Sequence, residues 1–206
     1  MKRVILFGDS NTFGRLPGTE DGRLPFSSRW PVLLAESMGN EWDIIDEGFP
    51  GRTILPQESV PAEINGYESI LSIMERNIPF NYIFIMLGTN DFKTKYHANP
   101  EDVLCGMERL VDRIRTFSSK LGLDPKIIIA SPPVFQPVVP AYSILSENAN
   151  KKMQAFSHLL HDYAKTLKIP FVDTSAIIPD KRDGIHLSEE TQPMMARLLH
   201  DILLSI

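Results

Sequence analysis

The chain has 206 residues, 43% of them hydrophobic, which suits one globular domain over residues 1–206 built on one core. Its formal net charge of −5, with Lys and Arg scattered, argues against nucleic acid as a partner, because phosphate binding needs clustered cations. No stretch approaches the roughly 18 to 20 apolar residues that cross a bilayer, and Met1-Lys2-Arg3 leads only into Val4–Phe7, so the expectation is a soluble, cytoplasmic protein with no membrane partner.

The first element is a strand, Val4–Phe7, which ends in Gly8-Asp9-Ser10. Glycine permits a sharp turn and leaves the Ser10 hydroxyl at the carboxyl end of the strand, placed either as a nucleophile or as the cap of a following helix. Residues 14–28, rich in Gly, Pro and polar side chains, read as a long loop over a site. A helix follows over Trp30–Met38 and a strand over Trp42–Ile45. In the turn Glu47-Gly48-Phe49-Pro50-Gly51-Arg52-Thr53, Gly51 offers an exposed N–H, although an ordinary turn has the same composition.

Next come a helix near Ile64–Arg76 and a strongly apolar strand, Tyr82–Leu87. The Gly88-Thr89-Asn90-Asp91 loop after it brings the Asn90 amide to the same edge as Ser10, or uses Asn90 simply to turn. Val103, Met107, Leu110, Ile114, Phe117 and Leu121 step by three and four along one helix face. Asn99 caps this helix, Pro100 suits its first position, Glu101 and Asp102 suit its positive end, and Gly122 stops it. Cys105 is the single cysteine and has no internal partner; among Val103, Leu104 and Met107 it reads as a buried thiol.

Strand Lys126–Ala130 leads into a second long loop, Pro132–Pro140. A helix through Met153, Phe156, Leu160, Tyr163 and Leu167, a strand Pro170–Val172 and a helix through Met195, Leu198, Leu199, Ile202 and Leu203 complete the chain. Strands apolar on both faces and separated by helices predict a parallel sheet covered on two sides, a three-layer α/β/α sandwich. Ligands bind such sheets at the carboxyl ends of the strands.

A serine hydroxyl is a poor nucleophile at neutral pH and needs a base, with a third group to orient the base. Asp183-Gly184-Ile185-His186 supplies both in one loop ahead of the last helix, although a solvent-exposed pair would look the same. His186 would take the Ser10 proton and return it to the leaving alkoxide, while Asp183 holds the other ring nitrogen. Gly51 and Asn90 offer neutral donors to a developing oxyanion. A metal reading would join Asp180 to Asp183 and His186, but no partner cluster completes a ligand set, so neither metal nor cofactor is expected.

Together the loops favour acyl transfer from a small ester through Ser10. The alternative is a non-catalytic flavodoxin-like module in which Ser10, Gly51 and Asn90 hold an anion or small ligand; it would not need Asp183 and His186 together. No Gly-x-Ser-x-Gly is present, so this is not an α/β-hydrolase elbow. Phe13, Phe92, Pro133, Val134, Phe135, Val138 and Val139 offer an apolar rim for a short acyl or aryl group, or else belong to the core.

These four blocks, Gly8-Asp9-Ser10, the Gly51 turn, Gly88-Thr89-Asn90-Asp91 and Asp183-Gly184-Ile185-His186, span nearly the whole chain and in this order resemble the SGNH, or GDSL-type, hydrolases. Asp46-Glu47-Gly48 through Arg52-Thr53, Ile85 to Asp91 and Ser131-Pro132-Pro133 are similar to the arylesterase and acyltransferase branch, while Asn11 stands where the first block's name has leucine. The resemblance implies a flavodoxin-like five-stranded parallel sheet and a serine esterase working through an acyl-enzyme. It implies Ser10, Asp183 and His186 as the triad, with the Ser10 N–H, Gly51 and Asn90 as the oxyanion hole. It further implies a homo-oligomer that narrows the channel, and acyl transfer to alcohols in some members.

Overall fold

The computed structural model describes residues 1–56, 60–137, 144–146 and 148–206. Its centre is set by the runs that carry almost no polar side chains. Val4 to Phe7 in strand β1 (Lys2–Gly8) and Ile83 to Ile85 in strand β3 (Tyr82–Met86) are fully buried. With β2 (Trp42–Gly48), β4 (Lys126–Ala130) and β5 (Phe171–Val172) they form a five-stranded parallel sheet in the order β2-β1-β3-β4-β5.

Alternation along each strand divides the apolar side chains between two cores. Ile5, Phe7, Ile83, Ile85, Ile127 and Ile129 face helices α3 (Gly66–Arg76), α4 (Pro100–Lys120) and α5 (Ala149–Thr166). Val4, Leu6, Tyr82, Phe84, Ile128 and Ala130 face α2 (Trp30–Met38) and α6 (Gln192–Ser205). Two cores, one on each face of the sheet, replace the single core expected from length. Among the described residues, no helix is long and apolar enough to cross a membrane.

The strand order reverses between β1 and β3, so the loops leaving them part and open a crevice at the carboxyl edge. Gly8 pairs with Gly48 on one side and Met86 on the other, which brings the ends of three strands level there.

Three sequence expectations need correction. Strand β2 runs on to Gly48 and is only partly buried, because it is a sheet edge rather than a strand covered on both faces. Its acidic side chains are matched instead by distant arginines, Asp43 by Arg3 at 2.7 Å and Asp46 by Arg23 at 2.9 Å. Along α4, Asn99 does cap, accepting from the Asp102 N–H at 2.8 Å, but the buried face stops short of Leu121, which lies past the last turn and is 47% exposed. Cys105 is exposed, not buried. It sits about 200° around the helix from Val103, so its apolar neighbours in sequence are not its neighbours in space.

Candidate active site

Strand β1 ends at Gly8, where a Cβ would fall 1.9 Å from the Thr12 hydroxyl, so only glycine lets the chain fold back at once into the short helix α1 (Ser10–Phe13). Asp9 caps α1, its Oδ1 accepting from the Asn11 N–H at 2.9 Å. The capping role open to Ser10 in sequence therefore falls to Asp9, and the Ser10 hydroxyl is left for other partners. Ser10 is only 5% exposed.

Its Oγ lies 3.0 Å from His186 Nε2, and His186 Nδ1 lies 2.8 Å from Asp183 Oδ2. Asp183 Oδ1 accepts from the N–H groups of Ile185 and His186, both at 2.9 Å, and Oδ2 also accepts from the Gly18 N–H at 2.7 Å. Burial alone would push the Asp183 carboxyl up, but the bonds from the His186 ring and backbone and from Gly18 outweigh it and hold the group well below the usual carboxylate range. An ionised Asp183 accepts only, so Nδ1 carries the imidazole proton and Nε2 faces the Ser10 hydroxyl as an acceptor.

The loop over 14–28 doubles on itself, with Leu16 N–H to Gly22 O at 2.9 Å and Leu24 N–H to Gly14 O at 2.8 Å, and it reaches Asp183 through Gly18. Asp180 turns instead to the Arg182 guanidinium at 2.8 Å and takes no part in the pair. Among the described residues, no group of three His, Cys, Asp or Glu side chains could hold a metal ion.

The two other sequence-predicted residues lie in the turns that follow β2 and β3. Gly51 sits in the turn after β2 at φ +86°, which favours glycine. Asn90 opens a 3-10 turn after β3, and its Nδ2 donates to Arg52 O at 3.0 Å, which ties the β3 loop to the Gly51 turn. The next residue strengthens that tie, since the Asp91 carboxylate accepts from the Ile54 and Leu55 N–H groups at 2.9 to 3.1 Å. Burial pushes the Asp91 carboxyl up to about 6.

That shift has a defined sign. A carboxyl that holds its proton more tightly folded than unfolded loses its share of stability as pH rises between the two pKa values. From an unfolded value near 3.9 to about 6, stability attributable to Asp91 should fall by about 3 kcal/mol. Urea unfolding at pH 4.5 and 7 should show about 2 kcal/mol of this decline in the wild type and a flatter profile in Asp91→Asn. Equal slopes in the two proteins would assign the titration elsewhere.

Sequence reasoning missed the residues that hold these loops together. Asn11 registers in sequence only as a departure from leucine, yet its Nδ2 donates to Ile185 O at 3.3 Å and its Oδ1 accepts from the Leu187 N–H at 3.0 Å, bracketing His186 on both sides. Gln192 extends the bracket, accepting from the Trp30 N–H at 3.0 Å and donating to Leu187 O at 3.2 Å. The available signal was an amide directly after the candidate nucleophile. Asn11→Leu would leave the Ile185 carbonyl and Leu187 N–H buried without partners, lowering stability by about 1–3 kcal/mol, read from the urea midpoint.

The expected apolar rim does not survive as a set. Phe92 and Phe135 belong to the core, Phe92 lying edge-on to Phe156 at 5.9 Å, and Val134 packs against the same cluster while Pro133 is buried. Phe13 is half-buried beneath the Arg23 guanidinium, 3.8 Å from its ring centre, and Val138 and Val139 lie outside the described residues. A groove of about 890 Å³ lies at the opposite, amino end of β4 and β5, lined by Lys126, Pro170 and Ile206 among others, and includes neither Ser10 nor His186.

The model of the GDSL-like lipase/acylhydrolase family matches residues 6–192. Among solved structures, Est24, a carbohydrate acetylesterase from Sinorhizobium meliloti, is 30% identical with a TM-score of 0.92, over 100% of this chain and 99% of that one. The inhibitor-bound aryl esterase of M. smegmatis gives the same 30% identity and TM-score of 0.92, again over 100% of this chain and 99% of that one. A lipolytic G-D-S-L family member from Veillonella parvula, 16% identical with a TM-score of 0.72 over 100% of both chains, shares the fold. No match to a curated protein was found by sequence. With the family's model covering most of the chain and two esterases superposing along its full length, this protein belongs to the GDSL-like lipase/acylhydrolase family and is a carboxylic ester hydrolase.

Proposed function

We propose that Ser10 is the nucleophile of this hydrolase, His186 its general base and acid, and Asp183 the group that orients and charges the imidazole. The observation that carries this reading is the unbroken hydrogen-bonded line from Asp183 through His186 to the Ser10 hydroxyl. A module that merely holds a ligand has no use for a partly buried carboxylate aligned behind an imidazole. In the forward step, Ser10 Oγ attacks the ester carbonyl as its proton passes to His186 Nε2. The resulting oxyanion takes hydrogen bonds from the Ser10 and Gly51 N–H groups and the Asn90 amide.

Collapse breaks the bond to the alkoxide, which leaves as an alcohol with the proton from His186 and keeps the acyl group on Ser10. Water, or an alcohol in its place, then attacks the acyl-enzyme, gives its proton to His186 and restores Ser10 as the acid or the new ester departs. We propose short acyl groups, acetyl foremost, on aryl alcohols or sugar hydroxyls as substrates. Likeness to a carbohydrate acetylesterase and an aryl esterase supports this.

The decisive test is the site of modification by a serine-directed organophosphate, read by peptide mapping. One adduct on Ser10 is expected; an adduct on any other residue overturns the assignment.

A further inference from the structure

The turn that carries Gly51 is held by an arginine in the protein interior. Arg52 is 3% exposed, and among the described residues no carboxylate lies within 4.0 Å of its guanidinium. Main-chain carbonyls hold it instead. Nη1 donates to Gly8 O at 2.8 Å and also to Glu47 O, while Nε donates to Glu63 O at 3.0 Å. The guanidinium lies over the Phe7 ring, 4.5 Å from its centre. The residue's own carbonyl accepts from Asn90 Nδ2 at 3.0 Å.

Those partners have one thing in common. Gly8 precedes Ser10 by two residues on a rigid turn, Gly51 is the neighbour of Arg52 in the chain, and Asn90 is bonded to Arg52 directly. Each of the three oxyanion donors therefore lies within two residues of Arg52 or of an atom that it binds. Glu47 and Glu63 fix the same side chain to the end of β2 and to the segment ahead of α3. Guanidinium suits this because its donors stand in one fixed plane, so several carbonyls bound to it are held at set spacings. An ammonium is a point charge and cannot reproduce that geometry.

We propose that Arg52 is a positioning residue for the oxyanion hole, setting the mutual spacing of the Ser10 N–H, the Gly51 N–H and the Asn90 amide. This rests on the assignment of those three groups above. Arg52 touches no substrate in this scheme. Its influence falls on the tetrahedral intermediate, where misplaced donors cost rate, and not on binding of the planar ester.

The test uses Arg52→Met and Arg52→Lys, with p-nitrophenyl acetate as substrate and phenylboronic acid as a mimic that becomes tetrahedral on a serine. Arg52→Met should lower kcat by about 100-fold, the scale of one lost oxyanion donor, and leave KM within about twofold. The inhibition constant of the boronic acid should rise by a similar factor, and Arg52→Lys should recover only a minor part of either. Near-UV circular dichroism identifies folded variants, and Arg52→Lys, which keeps the charge and most of the stem, carries the test if the methionine variant does not fold. A folded variant with wild-type kcat and boronic acid affinity overturns the proposal, as does a loss confined to KM. Organophosphate mapping of the wild type separates the two levels: an adduct away from Ser10 defeats the underlying assignment, whereas an adduct on Ser10 beside unaffected Arg52 variants defeats this inference alone.

Discussion

Ser10→Ala is expected to lower kcat for p-nitrophenyl acetate by about 10⁴-fold or more with the fold intact, the scale seen when a serine nucleophile is removed. The separation of activity from stability follows from local structure. Asp9 rather than Ser10 caps α1, so the substitution leaves that cap in place, and alanine is the best helix former. The lost hydroxyl bonds only His186 Nε2 among the described residues. Urea unfolding should shift little while hydrolysis all but disappears. Equal rates for the two proteins would exclude Ser10 as the nucleophile.

Asp183→Asn should lower kcat by about 10³- to 10⁴-fold through a different route, loss of the imidazole tautomer that faces Ser10 with an acceptor. Asp183 accepts four hydrogen bonds, from His186 Nδ1 and the N–H groups of Gly18, Ile185 and His186. An amide presents one oxygen and one NH₂, so whichever way it turns, a donor is set against a donor. The stability consequence also has a sign. A carboxylate whose folded pKa lies below its unfolded value stabilises the fold above the unfolded value, near 3.9, and loses that contribution as pH falls through the folded one. The variant should therefore unfold at lower urea than wild type at pH 7, and the gap should close on acidification below about pH 4. A gap independent of pH would mean that the Asp183 charge is not what the backbone donors stabilise.

The strands of the sheet interior were legible in sequence because burial on both faces leaves no room for polar residues, and Val4–Phe7 and Ile83–Ile85 show it directly. Strand β2 was read short because Asp46 and Glu47 look like a turn until Arg23 and Arg76, far off in sequence, supply their counter-charges. The side chains proposed for catalysis were legible for a chemical reason: Ser10, Asp183 and His186 are polar residues that follow strands at the carboxyl edge, where a sheet of this topology binds its ligands. Arg52, Asn11 and Gln192 were not, since what they bind is main chain, and main-chain atoms carry no sequence signature. The bond from Leu187 to Asn11 spans 176 positions. For the same reason Phe92 and Phe135 could not be placed in rim or core from sequence, as an apolar side chain near a site and one beneath it have the same letter.

The contact from Gly18 to Asp183 has a practical side. Its donor is a main-chain N–H, so the carboxylate keeps this partner whatever side chains occupy the exposed loop tip at Thr19, Glu20 and Asp21. Randomising that tip at constant length should therefore leave the charge of Asp183 as it is, whereas shortening the loop pulls the amide away and removes one of the four hydrogen bonds that the carboxylate accepts.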